Sequence, residues 1–247
     1  MEKNSSLIQH SLTGQHYGYS AADLDSLGAT EYTLVTIIVD ESGSVSSFKD
    51  EIEKCIQEVI RACKFSPRSD YLLIRLVAFN QNIREIHGFK QLIDCDPNNY
   101  DGIIHPSGMT ALFSTTQNAI VATNDYGKQL SNNDFEANAI IFVITDGMDN
   151  ESGSIGSTEV GNALKDIMKE EALESVMSIL VGVGVGQHTD VSSYLEDFKN
   201  DAGLNQYVEI KNANEKTLAK LADFISKSVS SQSNSLGSGS MSQPLTF

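Results

Sequence analysis

Hydrophobic residues along this chain follow two patterns, continuous apolar runs and stripes at helical spacing. Residues 32–39 form an apolar, β-branched run without strict alternation, which predicts a strand buried on both faces of a sheet. From Phe48 to Cys63 apolar residues recur at intervals of three and four, which predicts the buried face of a helix. The polar sequence 40–44 lies between them. A buried strand therefore ends at Asp40, and a hydroxyl-rich turn leads into a helix.

The two patterns keep alternating toward the carboxyl end of the chain. Residues 83–89 alternate polar and apolar side chains, which is typical of an antiparallel edge strand. The remaining apolar runs and stripes predict strands at 71–79, 139–145, 176–183 and 206–210, and helices from Thr110, from Gly156, over 191–198 and over 215–229. This order predicts an α/β fold: a doubly wound, mostly parallel six-stranded sheet with one antiparallel edge strand and helices on both faces.

Composition divides the chain into three parts. Residues 1–30 are polar and predict an arm that docks on the domain or stays mobile, with one helical turn over 21–27. Residues 31–229 carry the alternating pattern and form the domain. From 230 to 247 the chain turns to Ser, Gly, Gln and Asn, which predicts a flexible tail.

The charge balance narrows the classes of partner. Seventeen basic residues stand against thirty-three acidic ones, a net charge of −16. Binding to nucleic acid or to an anionic membrane needs clustered Lys and Arg, so we expect neither partner. We find no apolar segment of signal-peptide type and no run near 18 apolar residues. Cys55 and Cys63 stand ~12 Å apart along their helix, too far for a disulfide, so we expect a reducing, cytoplasmic compartment.

Oxygen-bearing side chains gather where two buried strands end. Asp40 and Asp146 each follow such a strand, and parallel strands would bring both carboxylates to one edge of the sheet. The hydroxyls of Ser42, Ser44 and Thr110 add to them. Carboxylates and hydroxyls are hard ligands that suit Mg²⁺, Mn²⁺ or Ca²⁺. One oxygen from each of these five residues leaves an octahedral Mg²⁺ shell open, for water or for an acidic group of a partner.

Each fragment of this pattern also has a structural explanation. Ser44 or Ser46 could cap the following helix, and Asp146 followed by glycine is a common turn. The charges of Glu41, Asp149 and Glu151 are interpreted as solvated loop charges. Both fragments in this order, with a Gly-x-Thr loop between them, favour the metal site.

The pattern Asp40-x-Ser42-x-Ser44, with Thr110 and Asp146, resembles the metal-ion-dependent adhesion site of the von Willebrand factor A (vWA) domain family, and the likeness covers residues 31–229. The resemblance implies a Rossmann-like fold and a cation, usually Mg²⁺, held by the first three residues, with Thr110 and Asp146 binding directly or through water. It implies no catalysis. Typical members dock a protein whose Glu or Asp completes the metal shell.

The short chain without a predicted disulfide is similar to the intracellular bacterial and viral vWA proteins, including the tellurite-resistance-associated group. That resemblance implies an association with a MoxR-type AAA ATPase system.

Two other functions are alternatives to the interaction module. One is a structural or assembly protein of a virus particle or large complex that uses the same fold. The other is a Mg²⁺-dependent phosphotransferase with Asp40 as nucleophile. Ser42 stands where a haloacid-dehalogenase-like site has a second aspartate, and no Gly-Lys-Ser/Thr loop is present. The glycines at 182–186 have G-x-G-x-G spacing, which does not match a dinucleotide-binding loop.

Overall fold

The computed structural model describes residues 7–185, 189–211 and 214–238. Within these ranges the chain forms one sheet of eight strands with five α-helices. The strands are β1 (Leu7–His10), β2 (Tyr19–Ala22), β3 (Glu31–Asp40), β4 (Leu72–Phe79), β5 (Ile83–Gln91), β6 (Glu136–Thr145), β7 (Val176–Val183) and β8 (Gln206–Ile210). The helices are α1 (Lys49–Lys64), α2 (Leu112–Ser131), α3 (Ser157–Lys169), α4 (Thr189–Ala202) and α5 (Glu215–Ser238).

Strand β3 lies inside the sheet, and its apolar run is buried on both faces. The side chains of Val35, Ile37 and Val39 belong to a core that includes residues of α1 and α5. Those of Leu34 and Ile38 belong to a second core, which includes residues of α2, α3 and α4. Each fully buried aliphatic side chain contributes about 1.5–3 kcal/mol, so the run that predicts the strand also holds both helical layers. The predicted burial on both faces is confirmed.

Parallel pairing brings the candidate residues to one edge of the sheet. The strand order is β1-β2-β5-β4-β3-β6-β7-β8, and β3 pairs in parallel with both β4 and β6. β5 pairs antiparallel with β4, as its alternation predicted. Asp40 is the last residue of β3, and Asp146 directly follows β6, so both lie at the carboxyl edge. The α/β class and the mostly parallel sheet are confirmed.

The predicted count of six strands is wrong, because the polar arm contributes two more. β1 and β2 form an antiparallel hairpin, and β2 lies beside β5. Ser20 on β2 donates its backbone N–H (2.9 Å) and its hydroxyl (2.6 Å) to Glu85 Oε1 on β5. β5 is therefore covered by the hairpin instead of forming the sheet edge. The expected helical turn is a 3₁₀ turn over Leu24–Ser26, and residues 1–6 lie outside the described range.

The last helix extends past the predicted tail boundary at residue 230. Although α5 becomes rich in Ser and Gln, it stays helical to Ser238, and Gln232 is fully buried. The Gln232 amide Nε2 donates to the Ala139 carbonyl (3.0 Å) and to Ser175 Oγ (2.9 Å). The flexible tail predicted from composition is thus wrong up to Ser238, because the chain stays helical there and Gln232 is buried and hydrogen-bonded through its amide Nε2. Residues 239–247 of that predicted tail lie outside the described residues.

Candidate metal centre

Asp40 anchors the candidate site from the end of β3. Its side chain is fully buried. Oδ1 accepts a hydrogen bond from the backbone N–H of Ser42 (2.8 Å), and Oδ2 accepts one from the hydroxyl of Thr145 (2.6 Å), the last residue of β6. One bond comes from its own turn and the other from the neighbouring parallel strand. Both oxygens are therefore fixed in direction before any ligand arrives.

A chain of hydroxyl groups connects Asp40 to the second carboxylate. Ser42 Oγ and Ser44 Oγ lie 3.0 Å apart, and Ser44 Oγ donates to Asp146 Oδ1 at 2.9 Å. Ser42 is buried, Asp146 is half-buried and Ser44 is exposed, so the group opens to solvent at the Ser44 end. Four of the five predicted residues thus lie in one continuous cluster of oxygen atoms.

Thr110, the fifth predicted residue, is joined to this cluster through its backbone and its neighbours. Its N–H donates to Asn150 Oδ1 (2.7 Å), and its carbonyl accepts from the Asn150 N–H (2.9 Å), in the loop that begins at Asp146. The N–H of Gly43 donates to the carbonyl of Gly108 (3.2 Å). The loop between β5 and α2 is therefore bonded to both of the other loops. The three loops meet at one edge of the sheet, as the sequence predicted.

Gly108 is required by the geometry of this junction. Its φ of +74° lies in the left-handed region that side chains disfavour, and a Cβ atom there would stand 1.8 Å from Gln81 Oε1. That same oxygen accepts the N–H of Met109 at 2.9 Å. The glycine lets the turn between β4 and β5 hold the loop directly before Thr110.

Burial raises the energy of both carboxylates in their ionic form. It raises the pKa of Asp40 from 3.8 to about 6, against the hydrogen bonds from Thr145 and Ser42, and the neighbouring Asp146 charge raises it further. Burial likewise raises the pKa of Asp146, against the hydrogen bond from Ser44. A cation placed beside the two groups would offset this electrostatic penalty.

Two of the three charges interpreted as solvated have defined structural partners. Glu41 is buried and pairs with Arg84, so that interpretation is wrong for Glu41. Asp149 Oδ1 accepts the N–H of Phe113 (3.2 Å) and so caps the first turn of α2. Glu151 is exposed, as expected. No local pattern marks the Glu41–Arg84 pair, because its partners stand 43 positions apart in the sequence.

The geometry does not support the explanation that Ser44 or Ser46 caps α1. Phe48 precedes the first residue of α1 and makes no side-chain cap, and the Ser46 hydroxyl donates to the Gly43 carbonyl.

The glycines near the end of β7 have a backbone role instead of forming a dinucleotide-binding loop. Gly184, with φ +73°, turns the chain at the end of β7, and its N–H donates to the Ile210 carbonyl. Gly186 lies outside the described residues.

The centre is rich in hydroxyls and holds two carboxylates. In the described residues, no group of three or more His, Cys, Asp or Glu side chains has metal-binding geometry. Oxygen ligands of this kind fit a hard divalent cation better than they fit zinc.

In the described part of the chain, no helix has both the length and the apolar content to cross a membrane.

Comparison with solved structures shows the same fold in several proteins. The PilB minor pilin from Streptococcus sanguinis matches with a TM-score of 0.59 and 14% identity, over 85% of this chain and 64% of that one. The proximal thread matrix protein 1 of the mussel byssus, solved with a zinc-occupied MIDAS motif, matches with a TM-score of 0.52 and 15% identity, over 83% and 47%. The pilus adhesin SpaC from Lactobacillus rhamnosus GG, in an open conformation, matches with a TM-score of 0.56 and 10% identity, over 91% and 33%.

This chain therefore spans less than two thirds of the length of each of these proteins. No curated protein sequence matches it. The family model described as the von Willebrand factor type A domain matches residues 35–227, which is most of the chain. The chain belongs to the von Willebrand factor type A domain family.

Proposed function

We propose that this chain is a divalent-cation-dependent protein-interaction module. Asp40, Ser42 and Ser44 would hold Mg²⁺, with Thr110 and Asp146 binding it directly or through water. The observation that carries the proposal is the continuous oxygen cluster from Asp40 to Asp146, which links two loops and opens to solvent at Ser44. The zinc-occupied MIDAS motif of the mussel protein supports a divalent metal in this fold.

The residues present fit such a cation. Asp40 and Asp146 supply two negative charges that burial leaves poorly solvated, and a divalent ion would balance both. The hydroxyls add neutral oxygen ligands without further repulsion. Mg²⁺ retains water in its shell, and Mn²⁺ or Ca²⁺ accepts the same ligands. When bound, the ion would offer a partially open shell at the solvent side, where a Glu or Asp of a partner protein completes it.

The chain's own residues prepare this site without carrying out a reaction. Thr145 and the Ser42 N–H orient the Asp40 carboxylate, and Ser44 orients that of Asp146. Ser42 stands where a haloacid-dehalogenase-like phosphotransferase has its second aspartate. This arrangement favours docking over a phosphotransferase, so we propose that the protein is not an enzyme.

Titration calorimetry with Mg²⁺ tests the metal site. The parent should bind, and Asp40→Ala should lose more than the ~10–100-fold that removal of an outer-shell partner costs. Glu151→Ala is the matched control, since it removes an exposed carboxylate from the loop that carries Asp146. Its affinity should stay within about twofold of the parent. Equal Mg²⁺ affinity in the parent and Asp40→Ala would falsify the assignment.

Capture from a native lysate tests the docking step. Proteins retained in Mg²⁺ and released by EDTA are candidates, and the same capture with Asp40→Ala removes non-specific ones. A MoxR-type AAA ATPase system in the cytoplasm of a bacterium, or of a virus-infected cell, is the first partner class to examine. Retention that is identical in EDTA and in the variant would contradict a metal-dependent partner.

The likeness to a minor pilin and a pilus adhesin supports a second candidate, an assembly protein of a large complex. Sizing of the purified protein with and without Mg²⁺ separates the two. Metal-dependent growth into large assemblies would favour assembly, while a constant small size favours the docking module.

A further inference from the structure

An ion pair with one buried partner, Glu41, begins at the residue that follows Asp40 in the candidate metal centre. Glu41, the residue after Asp40, is 3% exposed and faces Arg84 on β5. Arg84 Nε donates to Glu41 Oε1 at 3.0 Å, and Nη2 donates to Oε2 at 2.5 Å. This two-point contact fixes the orientation of both side chains as well as their distance.

The same pair holds the segment that leads to Thr110. Glu41 Oε2 accepts the N–H of His105 at 3.1 Å, and Arg84 Nη2 donates to the carbonyl of Ile103 at 2.7 Å. The backbone carbonyl of Glu41 accepts the N–H of Ser107 at 2.9 Å. Three contacts therefore attach residues 103–107 to Glu41, which follows β3, and to Arg84 on β5.

The charges of the pair explain why it can stand beside a metal site. Arg84 neutralises Glu41, so the acid next to Asp40 adds no net charge to the centre. Because Glu41 is buried, removal of Arg84 would leave a carboxylate without a counter-ion and would disturb the bonds that depend on it. A neutral side chain in place of Glu41 would also remove the ion pair with Arg84.

We propose that Glu41 and Arg84 are positioning residues that fix the Thr110 loop against the Asp40 end of β3. Their effect on Mg²⁺ rests on the proposed function, whereas their effect on the loop does not. Neither side chain is assigned as a metal ligand. They act through the backbone of residues 103–107, the segment that leads to Thr110.

Hydrogen–deuterium exchange on the metal-free protein tests the positioning directly. In Arg84→Met, the amides of residues 103–105 and 107–110 should exchange at least ~10-fold faster than in the parent, because local opening would cost less free energy. Arg68→Met is the matched control: Arg68 pairs with Glu31 at 2.7 Å, at the opposite end of β3. It should leave the 103–110 amides at parental rates. Parental exchange in Arg84→Met, or equal loosening in both variants, overturns the proposal.

Mg²⁺ titration then measures the consequence for the site. Arg84→Met should lower the affinity about 10–100-fold, as loss of an outer-shell partner does. Glu41→Gln keeps an oxygen that can accept the His105 N–H, so it should lose less, and its effect should not add to that of Arg84→Met. Additive losses count against a shared role. Should Arg84→Met fail to fold, Glu41→Gln supplies the exchange measurement. A parent that binds no Mg²⁺ refutes the proposed function, while the exchange data still decide the positioning.

Discussion

The two ends of the central strands both carry buried polar side chains, and they use them differently. At the amino end, Asn138 on β6 donates its amide to the Gln232 carbonyl (2.5 Å), and Gln232 donates to the Ala139 carbonyl. At the carboxyl end, Asp40 and Asp146 are joined through serine hydroxyls, and Ser44 faces solvent. At the amino end, neutral amide side chains bond to backbone carbonyls between β6 and α5. At the carboxyl end, two carboxylates lie in a cluster that opens to solvent at Ser44.

The difference separates polarity that stabilises the fold from polarity that prepares a binding site. A buried amide bonded to a carbonyl satisfies groups that would otherwise be left without partners. A buried carboxylate with a raised pKa is ionised against a penalty, which the metal-free protein carries at neutral pH. Changes at the amino end should therefore lower stability without affecting Mg²⁺. Substitutions at the carboxyl end should weaken Mg²⁺ binding, and they should leave the free energy of unfolding nearly unchanged or raise it.

The largest effect on stability is expected at Gln232. Gln232→Ala leaves the carbonyl of the buried Ala139 without this donor, at about 1–3 kcal/mol, and truncates a fully buried side chain, so it should lower the free energy of unfolding by about 2–4 kcal/mol. Asn234→Ala, two residues along and exposed, is the control and should change it by less than about 0.5 kcal/mol. Urea unfolding measures both. A similar small loss in both variants would show that the end of α5 is not part of the folded domain.

The contrast also shows which features the sequence could reveal. Long apolar runs and helical stripes predicted β3 and α1. A strand buried on both faces needs apolar side chains throughout, and a helix packed on a sheet needs one every three or four residues. Asp40 and Asp146 could be found because they directly follow such runs. The end of α5 could not, because its composition is that of a solvated linker and its partners, such as Asn138 on β6 and Arg68, lie far away in the sequence.

The N-terminal hairpin escaped prediction for a related reason. Its strands have four residues each, too few to show a period. Their place in the sheet depends on Glu85, which lies 65 positions from Ser20. The pairing of Glu41 with Arg84 is equally non-local. Tertiary contacts of this kind leave no signal in a window of ten or fifteen residues.

At the carboxyl end the expected change in stability has the opposite sign. Asp40→Asn removes the buried charge and keeps a side chain of the same shape, so the metal-free protein should become more stable at pH 8 by on the order of 1–3 kcal/mol. The amide can still accept from Ser42 and can donate to Thr145. The same variant should lose Mg²⁺ binding. Thermal unfolding in EDTA together with calorimetry checks both; a destabilised Asp40→Asn would mean that the carboxylate serves the fold.

The pH dependence of the metal-free protein follows from the same group. Since the pKa of Asp40 is about 6 when folded and 3.8 in its ordinary state, the folded chain binds a proton more tightly between these values. Its contribution to stability is therefore greatest below pH 4 and is lost as pH rises through 6. The difference in unfolding free energy between Asp40→Asn and the parent should grow by about 1 kcal/mol from pH 5 to pH 7. A constant difference across this range would contradict a raised pKa.

Thr110 gives the smallest expected change in stability and so the sharpest test of the comparison. Its N–H and carbonyl make the bonds to Asn150, and Thr110→Ala keeps both of them. We expect a loss of about 1 kcal/mol or less in unfolding free energy, well below the 2–5 kcal/mol of a core truncation. If its hydroxyl contributes to the cation shell, Mg²⁺ affinity and partner capture should nevertheless fall clearly, and Thr110→Ser should restore them. Because serine keeps the hydroxyl and drops only the methyl group, failure of that rescue would assign Thr110 to packing and remove it from the metal centre.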